Sequence, residues 1–158
     1  MSLKERRLLE ELQSNFPITF RPYLEIARRF GLSEAEVITK TRAFKKRGVI
    51  RYIGAVFNLK RLGFSSTLIA ARVPRSELKR AVKVINGYPQ VSHNYLRNDK
   101  FNLWFTVVAF SKLELLNIIR EIKKRVKLKN KNVLDLRTLK VFKIDARFKL
   151  FTHNQKAI

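Results

Sequence analysis

Cysteine is absent from these 158 residues. No disulfide, thiolate nucleophile or cysteine-bound metal centre is therefore available. The absence suits a reducing cytoplasm, which is the compartment expected for the chain. Histidine occurs only twice, too rarely for a multi-histidine metal site. No apolar run approaches the roughly 18 residues of a membrane span. The N-terminal MSLKERRLLEE lacks the apolar core of a signal peptide. Neither membrane insertion nor export is expected. Also missing are a Ser/His/Asp arrangement, paired carboxylates, a phosphate-cradling glycine loop, internal repeats and low-complexity stretches. Acidic side chains are scarce: 12 Asp+Glu stand against 35 Lys+Arg, for a net charge of +23. Such a surface attracts polyanions. The excess is spread along the chain. Residues 1–60 hold 13 basic and 6 acidic side chains, and residues 61–158 hold 22 and 6. DNA, a small polycarboxylate, an acidic partner and simple solubility all fit that distribution.

What is present is patterned. Ser2-x-x-Glu5 forms a capping box. Leu8, Leu9, Leu12 and Phe16 follow at helical spacing, and Pro17 ends the stripe. A second helix is predicted from Pro22 to Phe30, with proline in its first turn and Gly31 past its end. Ser33-x-x-Glu36 opens a third, with Val37, Ile38, Thr41 and Phe44 inward and Lys40, Arg42, Lys45, Lys46 and Arg47 outward. VIRYIGAVFN, residues 49–58, reads as strand, turn, strand. Three short helices and a hairpin make a winged helix-turn-helix, here assigned to residues 1–62. Residues 63–158 form a second domain with a basic C-terminal tail. Ser65 to Val73 is strand-like. Pro74 opens a helix with Leu78, Ala81, Val82 and Ile85 inside. A hairpin spans 91–108. Ser111-x-x-Glu114 caps a helix carrying Leu115, Leu116, Ile119, Ile122 and Val126. Val133 to Lys143 is the last predicted strand. All five glycines and four prolines fall near element ends or in the wing. The order βαββαβ is ferredoxin-like, so the fold class is α+β. Its helices cover one sheet face. The other needs a cover, so a dimer is expected.

The hairpin carries the chemistry. Side chains on a strand alternate faces, which places Val91, His93, Tyr95 and Arg97 in one row. A histidine, a phenol and a guanidinium in a row fit a planar ligand bearing acids. Each also has an ordinary explanation: a hydrogen-bonded strand histidine, and a cross-strand pair on a wet face. Arg51 fits either a ligand or a phosphate contact. Trp104 fits core or subunit contact. Asn102 shares its face and is within reach of a ligand. His153 sits in a polar tail and is given no role.

The stretches GVIRYIGAVFNLKRLGF (48–64) and YPQVSHNYLRNDKFNLWFTVVA (88–109) resemble the siroheme decarboxylase subunits of the Lrp/AsnC-like family. The resemblance runs from about Phe16 to Phe148. In that family the wing typically reads Arg-x-x-Gly-Ala, matched by Arg51, Gly54 and Ala55. The hairpin typically reads Ser-His-x-Tyr-x-Arg and then Tyr-Asn-Leu, matched by Ser92, His93, Tyr95, Arg97, Asn102 and Leu103. Phe101 departs from the tyrosine. The resemblance implies removal of carbon dioxide from two acetate side chains of siroheme, giving didecarboxysiroheme on a route to haem d1 or haem. It implies no cofactor beyond the iron of the substrate itself, and a homodimer or a pair of related subunits. The winged helix is then inherited fold without DNA binding.

The residues suit this chemistry. Siroheme is a flat ring with eight carboxylates, and charge-assisted bonds from Arg and Lys hold such groups well. The carbon left after decarboxylation needs a proton, which calls for an acid near neutral pH. Histidine supplies one and is also a common axial ligand of haem-type iron. His93 is thus the candidate iron ligand or proton donor, Tyr95 and Arg97 the further catalytic candidates, and Arg51, Arg97 and Asn102 the candidate substrate contacts. The rival reading is an Lrp-like DNA-binding regulator with a ligand-sensing domain. A third is a non-catalytic subunit that supplies one wall of a shared site.

Overall fold

The structure is a computed structural model, and it describes residues 1–145, 147, 148 and 150. His153 and the rest of the C-terminal tail lie outside the described residues. Two compact units form. One is Met1–Ala55 joined by the described residues of 143–150, and the other is Val56–Phe142. The division thus falls before residue 62. The described residues from 143 to 150 join the helical unit instead of the second domain. There the Gln13 side chain donates to the Phe148 carbonyl and accepts from its N–H.

The first unit holds α1 (Leu3–Ser14), α2 (Pro22–Phe30) and α3 (Glu34–Lys46). Ser2 and Ser33 each accept the N–H of the glutamate three residues on, and Glu5 and Glu36 reach back to the serine N–H. Those backbone bonds hold both carboxyls below their ordinary range. A lowered folded value means that this stabilisation is present above the unfolded carboxylate pKa. It is lost as pH falls through the lowered one. Replacing Ser33 by alanine should cost about 1 kcal/mol, read as a lower thermal unfolding midpoint. Gly31 ends α2 at φ 61°, a conformation glycine adopts freely. The core is Leu8, Leu9, Leu12, Ile26, Ala27, Val37 and Phe44. Helix α1 stops at Ser14, before Pro17. Phe16 still packs on the core, edge-on to Tyr23 at 5.8 Å.

The wing differs from its expected form. Residues 49–58 contain no strand. The N–H groups of Val49 and Ile50 donate to the Phe44 carbonyl instead, folding the chain back onto the end of α3. Backbone donors spent this way are not available to a hairpin.

The second unit holds β1 (Ser65–Ala71), a 3-10 turn (Arg75–Glu77), α4 (Leu78–Asn86), β2 (Val91–Leu96), β3 (Leu103–Ala109), α5 (Lys112–Val126) and β4 (Val133–Leu136). The strand order is β2-β3-β1-β4 with antiparallel neighbours throughout, the ferredoxin-like arrangement. On β3, Leu103, Phe105, Val107 and Ala109 are buried against α4 and α5, while Trp104, Thr106 and Val108 stand on the other face. That open face also carries Leu68, Leu134 and Leu136, each more than a third exposed. Strand β4 is shorter than expected. Its ladder with β1 ends at the Leu68–Leu136 pair, and 137–143 are not strand. No helix among the described residues is long and apolar enough to cross a membrane.

Candidate active site

The second strand is irregular where the motif begins. Val91 pairs with Val107, and His93 pairs with Thr106. Two residues of β2 thus span the step for one of β3, which makes Ser92 the extra residue of a β-bulge. A bulge re-aims side chains. Here it puts Val91 beside the fully buried Val107 on the helix side and His93 beside Thr106 on the open face. The expected row is therefore corrected at Val91, which faces the opposite way.

The other three members of the row come together on the open face. The rings of His93 and Tyr95 stack, with centroids 5.9 Å apart and planes at 30°. Tyr95 pairs across the ladder with Trp104. Arg97 lies just past the strand end. Its N–H donates to the Asn102 carbonyl at 2.8 Å, and its guanidinium lies 5.4 Å from the centre of the Trp104 ring. Trp104 in turn donates its indole N–H to the Phe101 carbonyl at 2.5 Å. Asp99 accepts the Phe101 N–H and shapes the turn. The result is a run of imidazole, phenol, indole and guanidinium at the rim of an apolar sheet face. His93, Tyr95 and Arg97 are exposed, and Trp104 is half-buried.

Ser92 Oγ lies 3.0 Å from His93 Nδ1. If the hydroxyl donates, the ring is neutral with its proton on Nε2. If Nδ1–H donates, Nε2 either presents a lone pair to a metal or, in the imidazolium, carries a proton it can give away. The contact leaves Nε2 free for either role.

Two candidates sit differently. Asn102 accepts the Val73 N–H at 2.9 Å with Oδ1 and donates to the Val73 carbonyl at 2.8 Å with Nδ2. An amide expected to touch a ligand instead ties the end of β1 to the hairpin. Arg51 is exposed in the segment after α3 and belongs to the helical unit. Trp104, expected in the core or at a subunit contact, is half-buried on the open face. The Tyr95–Trp104 pairing depends on the register across a six-residue connection, which residue types alone do not give. The outward face of α3 is as expected, with Lys40, Arg42, Lys45 and Lys46 exposed.

Residues 5–51 match the family model of the siroheme decarboxylase NirDL-like HTH domain, and residues 61–143 match that of the AsnC-like ligand binding domain. The siroheme decarboxylase alpha subunit of Desulfovibrio desulfuricans is 39% identical over 150 residues, covering 95% of this chain and 85% of that protein. The crystal structure of the siroheme decarboxylase NirDL in complex with an iron-uroporphyrin III analogue superimposes with a TM-score of 0.66 at 31% identity. It covers 85% of this chain, which spans 44% of that one. The leucine response regulatory protein LrpA of Mycobacterium tuberculosis gives a TM-score of 0.75 at 21% identity over 94% of this chain and 99% of that one, a likeness of fold. The matched helix-turn-helix and ligand-binding domains, with a relative of this identity spanning nearly the whole chain, place the protein among the siroheme decarboxylase subunits.

Proposed function

We propose that the open sheet face binds siroheme and that the chain takes part in removing carbon dioxide from its acetate side chains. The observation that carries this reading is the single patch of His93, Tyr95, Trp104 and Arg97 on one face. Flat aromatic and apolar surface suits a macrocycle, and guanidinium suits its carboxylates. Arg97 is assigned to a carboxylate of the ring edge, and Arg51 stays a candidate on its match to the family's wing motif alone.

In the reaction, the bond between the carboxylate carbon and the methylene carbon breaks. Carbon dioxide leaves, the bonding pair stays on the methylene carbon, and a proton converts that carbon to a methyl group. Losing a charged carboxylate to a neutral gas is favoured where water is excluded. His93 Nε2 is assigned either to that proton or to the substrate iron, and one nitrogen cannot do both at once. Tyr95, stacked on His93, is assigned to orienting the acid or the carboxylate. No cofactor beyond the iron-bearing substrate is required by these steps.

The exposure of His93 and Tyr95 argues for a second subunit over this face. Its cover would bury Leu68, Leu134 and Leu136 and dry the site. We assign the chain to a homodimer or to a pair with a related subunit, in the cytoplasm. Anaerobic titration with siroheme tests the binding step. A shifted visible spectrum supports the reading. Unchanged spectra together with sequence-specific DNA binding about 10³-fold above non-specific would favour the regulator.

A further inference from the structure

We propose that Trp104 is a positioning residue that sets the Arg97 guanidinium for carboxylate binding. The inference rests on the siroheme reading above. A free arginine side chain gives up rotamer entropy when it is ordered, so a solvent-exposed arginine makes a poor clamp unless something orders it beforehand. Trp104 supplies that order. Its ring is fixed at its polar edge by the bond from Nε1–H to the Phe101 carbonyl, and it stands opposite Tyr95 in the ladder. The Arg97 guanidinium lies over the ring at 5.4 Å, and the Arg97 backbone is tied to Asn102. A guanidinium drawn to an aromatic ring through its charge keeps N–H groups for a carboxylate, because the ring takes none of its hydrogen bonds in the plane of the group. Among the described residues no carboxylate forms an ion pair with Arg97, so those donors are unspent. The indole lies across the ladder from Tyr95, next to the His93–Tyr95 stack along the same face.

The chain has one tryptophan, so its fluorescence reports on this position alone. The first arm needs no ligand. Arg97→Gln should move the emission of the folded full chain by removing the cation from the indole face, and unchanged emission would overturn the contact. The second arm measures siroheme affinity by quenching, or by visible absorbance where tryptophan is replaced. Arg97→Gln should weaken binding about 10- to 100-fold, and Trp104→Leu about 3- to 30-fold. The double variant should bind no more weakly than Arg97→Gln, because Trp104 acts through that arginine. Trp104→Phe, which keeps an aromatic face, should recover most of the loss. Multiplying losses in the double variant, or equal losses for Phe and Leu, would overturn the assignment. Should Trp104→Leu fail to fold, Arg97→Lys in the otherwise unchanged chain reads the same coupling. It keeps the charge and loses the planar guanidinium, so it should resemble Arg97→Gln; affinity equal to the unmodified chain would overturn it. An emission shift in the first arm without any siroheme binding by the unmodified chain would reject the functional reading, and with it the carboxylate role. The contact itself would stand.

Discussion

Replacing His93 by alanine should lower siroheme decarboxylation by about 10²- to 10⁴-fold, the span usual for a general acid, with little change in the unfolding midpoint. The imidazole is exposed on the open face, stacks only on Tyr95 and touches Ser92, so its removal leaves no cavity. The two assignments of Nε2 separate in the same variant. Loss of an iron ligand changes the visible spectrum of bound siroheme. Loss of a proton donor leaves that spectrum in place and slows turnover alone. Unchanged turnover with unchanged spectrum would remove His93 from the site.

Phe105→Ala should destabilise the ferredoxin-like unit by about 3–5 kcal/mol. The ring is 2% exposed and sits in the core formed by the sheet's inner face, α4 and α5. A small domain has only about 5–15 kcal/mol in total, so this variant should unfold at a markedly lower temperature or denaturant concentration. It also reaches the site indirectly. Phe105 pairs with Asn94 between the two active-face pairs, His93–Thr106 and Tyr95–Trp104. Melting β3 would therefore remove the ladder that aligns the imidazole with the guanidinium. A midpoint within about 1 kcal/mol of the unmodified chain would show that the inner face is not packed as described.

The parts of this molecule written in local chemistry were legible from residues alone. Serine–glutamate pairs three apart mark the starts of α1 and α3, because each satisfies two orphan N–H groups at a helix end. Pro22 and Gly31 bracket α2. The alternation of β3 follows from one buried and one open face. The motif from Ser92 to Arg97 marks a hairpin, and the structure brings its His93, Tyr95 and Arg97 to one face. What alternation missed was an unpaired residue. Nothing in the types Val, Ser and His says that Ser92 is extra, so Val91 was read on the wrong face. The contacts of Asn102 and Trp104 are not legible for a related reason. Their partners, the Val73 backbone and the Arg97 guanidinium, are set by three-dimensional register. Residues 49–58 have strand-like composition, but their first N–H groups close the end of α3. Tertiary demand overrides strand propensity there.

The central claim is that this chain acts on siroheme through the open face of its sheet. Its most direct test is to incubate the purified chain with siroheme without oxygen, extract the tetrapyrrole and weigh it by mass spectrometry. Loss of one or two carbon dioxide units, abolished by His93→Ala, is the predicted result. Intact siroheme with an unshifted visible spectrum would contradict it.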